Sequence, residues 1–482
     1  MMKRVFEKIT WIFWLGLVAA LPVTSFPLVA KIIHSSAVAP ASLIFLGLLC
    51  ITWLPLYLWN RGTFPVQTKT ALLFLVVGVL STGISFLSVV PAYKGQQLLP
   101  NVVSGIVTLI IGVLFYLISS TLPHDNEKIK STLKVLNWTG GIMLLWCLVV
   151  RIIALLAHTD TPDYLRFIQN LFSTTTFFGQ RAVGFASEPS WLAHMLNMVF
   201  LPYWLSATIT EFSAFKKKIW RFSFENILLA VGFVILFKTL SRAGLAAFIL
   251  VVGFFFIRFN LWLIRKISAH WSSKTTRVAI TLLLIAGFLF VYLGLAVGVV
   301  FLLSKIDPRM ADVFSISVIQ GQGITKYADM LQFGERVTYW QTGWNIFNAH
   351  PLLGVGLGNA GFYFPQYLPD KAWSLSEVRK LLYHSAGLMN IKSMWSRVLA
   401  ETGILGFSCF LVLLVFSGFT ALQLTRAKTS LQKTIGWMGI SMLIAFLIEG
   451  FSVDSFALPY LWFTLGLVAA AWRWSDSKVK EK

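Results

Sequence analysis

Three arginines in this 482-residue chain stand where a fixed positive charge could do chemistry. They are Arg181 in "GQRAVGFASEPSWLAH", Arg242 in "KTLSRAGLAAF" and Arg336 in "GERVTYW". A guanidinium is a planar fork that can give two parallel, charge-assisted hydrogen bonds, which suits a phosphate or carboxylate. Three of them on one side of a molecule would suit an anionic ligand. The ordinary alternative for each is a side chain reaching toward lipid headgroups. Acidic residues near them are sparse. Glu188 precedes Pro189 at a helix start, where a carboxylate complements the helix dipole. Glu335 adjoins Arg336 and could pair with it. Glu401 in "SRVLAETGILGF" lies about two turns inside an apolar run, a costly place for a carboxylate unless it is paired or faces a polar cavity. A salt bridge to one of the three arginines is the structural reading of Glu401. His384 in "LLYHSAGL" and Lys392 in "NIKSMWSR" are the remaining basic candidates, while His158 and His194 show no evident partner. No D-x-D pair and no His cluster occurs in these segments, so the residues suggest neither a catalytic metal nor a cofactor.

The stretch "NAHPLLGVGLGNAGF" holds Gly356, Gly358 and Gly361 in the order G-x-G-x-x-G. A dinucleotide fingerprint needs a strand before the glycines, a helix after them and an acidic residue about 20 positions on. Here the run follows a helical pattern that His350-Pro351 ends, since proline cannot continue a helix. "FYFP" comes next and the acidic residue is missing, so the nucleotide reading is rejected. The glycines of 354–361 and Asn359 are expected to let backbone approach a ligand or the membrane surface closely.

The elements that must position these residues follow from composition. With 57% hydrophobic and only 12% charged residues, the chain has too little polar surface for a soluble protein of its size. Apolar runs of roughly 20 residues are long enough to cross a bilayer as helices. Twelve spans are expected, at about 10–30, 40–59, 70–91, 102–122, 134–157, 190–210, 225–240, 243–259, 278–303, 395–422, 434–452 and 455–473. The seventh, eighth and eleventh are short or closely spaced, which leaves eleven spans or a re-entrant pair as alternatives. The N-terminus has the basic start and apolar run of a signal peptide but no small-x-small cleavage site, so it is expected to be an uncleaved first span. Cys50, Cys147 and Cys409 all lie in apolar runs and are expected as buried thiols without a disulfide.

The net charge of +21 is read through topology rather than as a nucleic-acid footprint, because Lys and Arg gather in cytoplasmic loops. Alternate loops carry clusters such as Lys3, Arg4 and Lys8, then Lys128, Lys130 and Lys134, then Lys216, Lys217 and Lys218, with Lys482 closing the chain. The opposite short loops carry little, which places both termini in the cytoplasm. Two opposite segments are long, about 158–189 and 304–394. The chain is thus divided into spans 1–9 over 1–303, a large external loop over 304–394, and spans 10–12 with a tail over 395–482. In the large loop Val337, Trp340, Trp344 and Phe347 recur at helical spacing and are expected to form one apolar face, lying on the membrane or capping the bundle.

An arginine-started helix with a Trp, then "HPLLGVGLGN", then "LAETGILGF" occur in order between Arg336 and Phe407. Together with "RAVGFASEPSWLA" and "TLSRAG" upstream, they resemble the signature region of the O-antigen ligase and polymerase superfamily of bacterial membrane glycosyltransferases. The resemblance implies an all-α, GT-C type fold with a large periplasmic or external loop in the plasma (inner) membrane. It implies a glycan donor linked to undecaprenyl diphosphate, an inverting displacement without metal or nucleotide sugar, and a lipid acceptor or the next lipid-linked repeat. A flippase and a chain-length regulator would be its partners, and nucleic acid would not. Arg242 and Arg336 match positions assigned to the diphosphate; Arg181, Glu188, His350, Gly354, Gly356, Gly358 and Asn359 would line the substrate site. The pattern departs at one place: ligases carry a "HN" pair nine residues before the glutamate of "AETG", and this chain has Lys392-Ser393. A histidine near pKa 6.5 serves as a base at neutral pH, whereas an ordinary lysine is protonated. Lys392 is therefore expected to stabilise departing diphosphate, His384 is the alternative base, and the reading leans to a polymerase over a ligase. A twelve-span transporter or glycan flippase and a membrane scaffold are the other classes; the chain shows no related halves, and a scaffold leaves the arginines unexplained.

Overall fold

The computed structural model describes residues 2–33, 38–157, 162–175, 177–179, 181–215, 220–270, 273–306 and 333–480. The expectations for His158, for Lys216, Lys217, Lys218 and Lys482, and for the 307–332 part of the long loop lie outside the described residues. Within them the protein is helical. In the first half run α1 (Met2–Ala19), α2 (Pro27–Ile33), α3 (Ser42–Trp59), α4 (Thr68–Ser85), α5 (Leu98–Thr121), α6 (Asn126–Ala157) and α7 (Asp163–Phe172). α8 (Pro189–Ile209) follows and contains one π turn over Leu196–Phe200. Then come α9 (Phe224–Lys238), α10 (Arg242–Ser268) and α11 (Lys274–Ile306). The last part holds α12 (Gly334–Ala349), α13 (Ala360–Tyr367), α14 (Ser376–His384), α15 (Met394–Thr425), α16 (Ser430–Glu449) and α17 (Pro459–Lys480).

Nine helices among the described residues are long and apolar enough to cross a membrane. Each coincides with an expected span; α9 and α17 stand at two of the other three expected positions without meeting the same length and hydropathy, and α1 lies earlier than the first expected span, ending at Ala19. The helix at the eighth span is longer than expected: α10 continues to Ser268, well past residue 259, and carries Arg265 and Lys266 in its last turn. The seventh and eighth are separate helices joined by a turn in which Ser241 Oγ accepts the Gly244 N–H at 3.3 Å as an N-cap.

The helices pack around a core of large side chains, among them Trp14, Phe74, Tyr116, Trp204 and Trp462, all buried. Many other apolar residues, such as Leu145, Phe256, Leu283 and Phe290, point outward. This is the arrangement lipid allows, because outward apolar residues lose nothing there and helix association rests on close packing and internal polar contacts. The three cysteines are free thiols, Cys147 buried and the others half-buried.

The turns sort into two ends. At one end Arg473 Nη2 donates to Thr63 Oγ1 at 2.7 Å, and the hydroxyls of Thr210 and Thr434 meet at 2.6 Å. At the other gather the C-terminal ends of α4, α9 and α16 and the N-terminal ends of α5, α8, α10, α15 and α17. Ser81 on α4 donates to Glu401 O at 2.8 Å, Asn197 on α8 to Gly244 O at 2.8 Å, and the Met394 N–H to Gly450 O at 2.7 Å. α12, α13 and α14 cover this second end, and α12 packs against α15. Helices of alternating direction therefore bring the residues singled out above to a single face of the bundle.

α12 keeps the expected helical period, and a different set of residues is buried. Thr338, Tyr339, Thr342, Gly343 and Ile346 are its buried residues, while Val337 and Trp344 are exposed and Phe347 is half-buried. The small residues face α15 because only they allow close approach: a Cβ on Gly343 would lie 3.0 Å from the Ser396 Cβ. The Val337–Trp344–Phe347 stripe, with its Trp344 and Phe347 rings tilted 45° to one another, points away from the bundle.

Candidate functional site

The three arginines are linked by consecutive contacts. Arg181 Nε donates to Thr239 O at 2.8 Å, and the Ala182 N–H donates to Lys238 O at 2.9 Å, so the Arg181 segment lies along the α9–α10 turn. Arg242 is the first residue of α10, and its guanidinium stacks over the Phe333 ring at 4.4 Å. Phe333 caps α12, three residues before Arg336. Arg336 Nη1 reaches Ser452 O at 3.4 Å in the α16–α17 turn, rather than Glu335. Glu188, the N-cap residue of α8, is exposed and accepts from Ser190 Oγ at 3.1 Å.

A second set of charges continues from the same turn. Lys392 sits immediately before the Ser393 cap of α15 with left-handed backbone, φ 54°. For a residue with a Cβ this conformation costs on the order of 1–3 kcal/mol and persists only where neighbours hold it. The Lys392 N–H donates to Asp454 Oδ2 at 3.1 Å, and Nζ donates to Glu377 Oε1 at 2.6 Å and lies 4.8 Å from the Tyr339 ring centre. The Tyr339 hydroxyl donates to the same Oε1 at 3.0 Å. The Lys392 ammonium is thus held as a donor to a carboxylate, an arrangement suited to offering positive charge. Burial raises the Glu377 carboxyl, but the hydrogen bond and charge of Lys392, then the Tyr339 hydroxyl, outweigh it and leave Glu377 below the ordinary carboxylate range. Arg336 adds to the same effect, which puts its charge within reach of Glu377.

Glu401 is buried on α15, but its partner is none of the three expected arginines. Arg397, one turn earlier, donates from Nε to Glu401 Oε2 at 3.0 Å. Arg397 also donates from Nη1 to Asp454 O at 2.8 Å and stacks over Phe456 at 4.9 Å. Glu401 therefore secures Arg397 to the α16–α17 turn, and the Gly358 N–H faces its carboxylate.

The glycine run approaches the chain itself closely. In an unbroken helix the Ile404 N–H would bond to Ala400 O and the Leu405 N–H to Glu401 O. α15 is instead broken at Gly403, φ 62°. The Ile404 and Leu405 N–H groups donate to Pro351 O (2.8 Å) and Leu352 O (3.3 Å), while Ala400 O and Glu401 O accept from Val355 N–H and Gly356 N–H, both at 2.9 Å. The 351–356 segment thus takes over both donors and both acceptors that the break leaves open. Gly354 makes this contact feasible: with φ 67°, a Cβ there would lie 2.5 Å from Ala400 O, and a Cβ on Gly403 would lie 2.3 Å from Leu352 O. Gly356 and Gly358 continue the strap against Ser85 of α4 and Asn101 of α5, and Asn359 is buried with Nδ2 donating to Ser85 Oγ at 3.0 Å. Gly354, Gly356, Gly358 and Asn359 fasten the outer segment to the bundle. His350 caps α12, and its ring rests edge-on against Tyr363 at 5.3 Å.

His384 ends α14 with an exposed side chain and no side-chain hydrogen bond to the described residues. Lys94 from the α4–α5 turn instead pins this end of α14, donating to Leu381 O, to Ser385 O at 2.7 Å and to Gly387 O at 3.2 Å. His194, expected without a partner, has one. Its Nδ1 lies 3.2 Å from Glu449 Oε2, both side chains are buried, and Asn197 Nδ2 donates to Glu449 Oε1 at 2.7 Å. Sequence reasoning missed Glu377, Tyr339, Asp454 and the Glu449 cluster. Arg397 was within its reach, since it precedes Glu401 by four residues on one helix.

Residues 227–411 match the family model described as O-antigen ligase. The matched segment contains Arg242, Arg336, Glu377, Lys392, Arg397 and the whole glycine strap, whereas Arg181, Glu449 and Asp454 lie outside it. No curated protein matches the chain.

Proposed function

Taking as premise that the chain carries the O-antigen ligase domain, and with it a place in the O-antigen ligase and polymerase superfamily of membrane glycan-processing proteins, we propose that it polymerises lipid-diphosphate-linked oligosaccharide. The observation that carries the reading is the run of contacts from Arg181 through Arg242 and Phe333 to Arg336, with Lys392 beyond it. Fixed guanidinium and ammonium groups at one end of a membrane bundle suit a lipid diphosphate whose sugar lies outside the hydrocarbon. They stabilise the negative charge that grows on the diphosphate as the anomeric bond breaks, and being already oriented they need no rearrangement at that moment. The face would be the outer one of a bacterial plasma membrane, with both termini in the cytoplasm. Undecaprenyl diphosphate is the donor carrier implied, and an inverting displacement by an acceptor hydroxyl is the step. A Lys–Glu pair where ligases carry a histidine favours the polymerase over the ligase.

The test is the electrophoretic glycan profile of a deletion strain complemented with Arg242→Ala or Arg336→Ala. Long chains should disappear and a single attached repeat remain, while the variant protein stays in the membrane. Unchanged chain length overturns the reading; loss of all attached glycan assigns the ligase reaction instead. Replacing a residue whose interaction strengthens only as the bond breaks commonly lowers turnover by about 10²–10³-fold.

A further inference from the structure

We propose that Glu377 is the proton acceptor for the attacking hydroxyl, its Oε2 facing the acceptor while Oε1 is held by Lys392 and Tyr339. The inference rests on the glycosyl-transfer reading above and adds the group that this reading lacks. A displacement at an anomeric carbon by an alcohol needs somewhere for the hydroxyl proton to go. Five other carboxylates among the described residues near this end are occupied or unsecured. Glu401 is buried and bound to Arg397, Glu449 is buried between His194 and Asn197, and Asp454 Oδ2 holds the Lys392 N–H. Glu188 is engaged by Ser190, and Glu335 makes no hydrogen bond through its side chain to the described residues.

Glu377 differs in geometry. Two donors converge on Oε1, at 2.6 Å from Lys392 and 3.0 Å from Tyr339, so the carboxylate is fixed in orientation. Oε2 carries no hydrogen bond from the described residues, and the side chain is 46% exposed. Arg336 acts electrostatically on both Glu377 and Tyr339, which sets the carboxylate beside the place proposed for the diphosphate. In the step, the acceptor oxygen forms its bond to the anomeric carbon and its proton passes to Oε2. The bond from that carbon to the diphosphate oxygen breaks, and the electron pair leaves with the diphosphate. The proton on Glu377 then returns to water. Nothing is oxidised or reduced.

The experiment uses the full chain in proteoliposomes, with lipid-diphosphate oligosaccharide extracted from cells that lack this protein and accumulate it. Glu377→Gln keeps an acceptor for Lys392 and Tyr339 but cannot take the proton. Its kcat should fall by about 10²–10⁴-fold, the range general-base catalysis supplies, with KM for the donor unchanged. Glu377→Ala with added azide should regain release of lipid diphosphate and form a glycosyl azide, because azide attacks without a proton to lose. Near-wild-type turnover of Glu377→Gln overturns the proposal. So does a loss in Glu377→Ala that azide leaves untouched and Lys392→Met reproduces, since Glu377 would then only hold Lys392. Azide rescue of Glu335→Ala in place of Glu377→Ala overturns it in favour of the neighbour. A wild-type chain that turns over no donor at all overturns the glycosyl-transfer reading and the base with it, which separates that failure from the others.

Discussion

Glu377 is subject to opposing influences, and their balance sets a direction that can be measured. Its folded carboxyl lies below its ordinary value because Lys392 and Tyr339 more than offset the effect of burial. A carboxylate with a depressed folded pKa contributes stability that is fully present above its unfolded pKa and is lost as pH falls through the folded one. The Lys392–Glu377 contribution should therefore be intact at neutral pH and fade only below the ordinary carboxylate range. Both side chains are more than a third exposed, or close to it, at 35% and 46%, so solvent limits the effect to about 1 kcal/mol or less. Thermal unfolding of wild type and Glu377→Gln in detergent as a function of pH checks this. The two should differ modestly at pH 7 and converge in acid, and a gap that widens in acid would contradict the assignment. Stability and catalysis then separate cleanly at one residue: a small change in melting temperature beside a large change in turnover.

At the scale of the element, the strap between 351–356 and the broken α15 makes the strongest demand on residue type. Gly354→Ala and Gly403→Ala each place a Cβ against backbone, where no side chain can swing aside, and each residue has positive φ. Overpacking and left-handed strain together should destabilise by about 2–5 kcal/mol. Thermostability in detergent and the yield of monodisperse protein measure it, and a wild-type melting temperature in either variant would show that the strap does not matter. Much of this level was legible beforehand. Continuous apolar runs must become helices in lipid, because every backbone polar group needs an internal partner there, so the span positions followed from hydropathy. The glycines of "HPLLGVGLGN" were legible as close approaches, but not as approaches to "LAETGILGF", since nothing in either stretch names its partner. The period of α12 was also legible, and the small residues it sets against α15 were not. Hydrophobicity marks the Val337–Trp344 stripe, yet the close contact with α15 selects Thr342 and Gly343 for their size.

At the scale of the whole molecule, what the sequence left unread are contacts between distant segments. Lys392 and Glu377 are separated by 15 residues and an irregular turn, and His194 and Glu449 by 255 residues. Only Arg397 and Glu401 stand at helical spacing. The His194–Asn197–Glu449 cluster joins α8, α10 and α16, and Glu449 precedes by three residues the Ser452 carbonyl that receives Arg336. Glu449→Leu would leave His194 and Asn197 without their buried acceptor, at about 2–5 kcal/mol, and a lower unfolding temperature for the purified full chain should report it. An unchanged temperature would mean the three helices are held together by packing alone. The broken α15 also depends on segments made before it. Its open backbone groups are closed by residues translated some fifty positions earlier, and Ser81 on the still earlier α4 donates to both Glu401 O and Leu353 O. The receiving surface on α4 and α5 is synthesised first, the strap second, and the helix that needs them last. A ribosome delivering this chain thus makes the strap before the helix it closes, and makes last of all the α16–α17 turn that receives Arg336, Lys392 and Arg397.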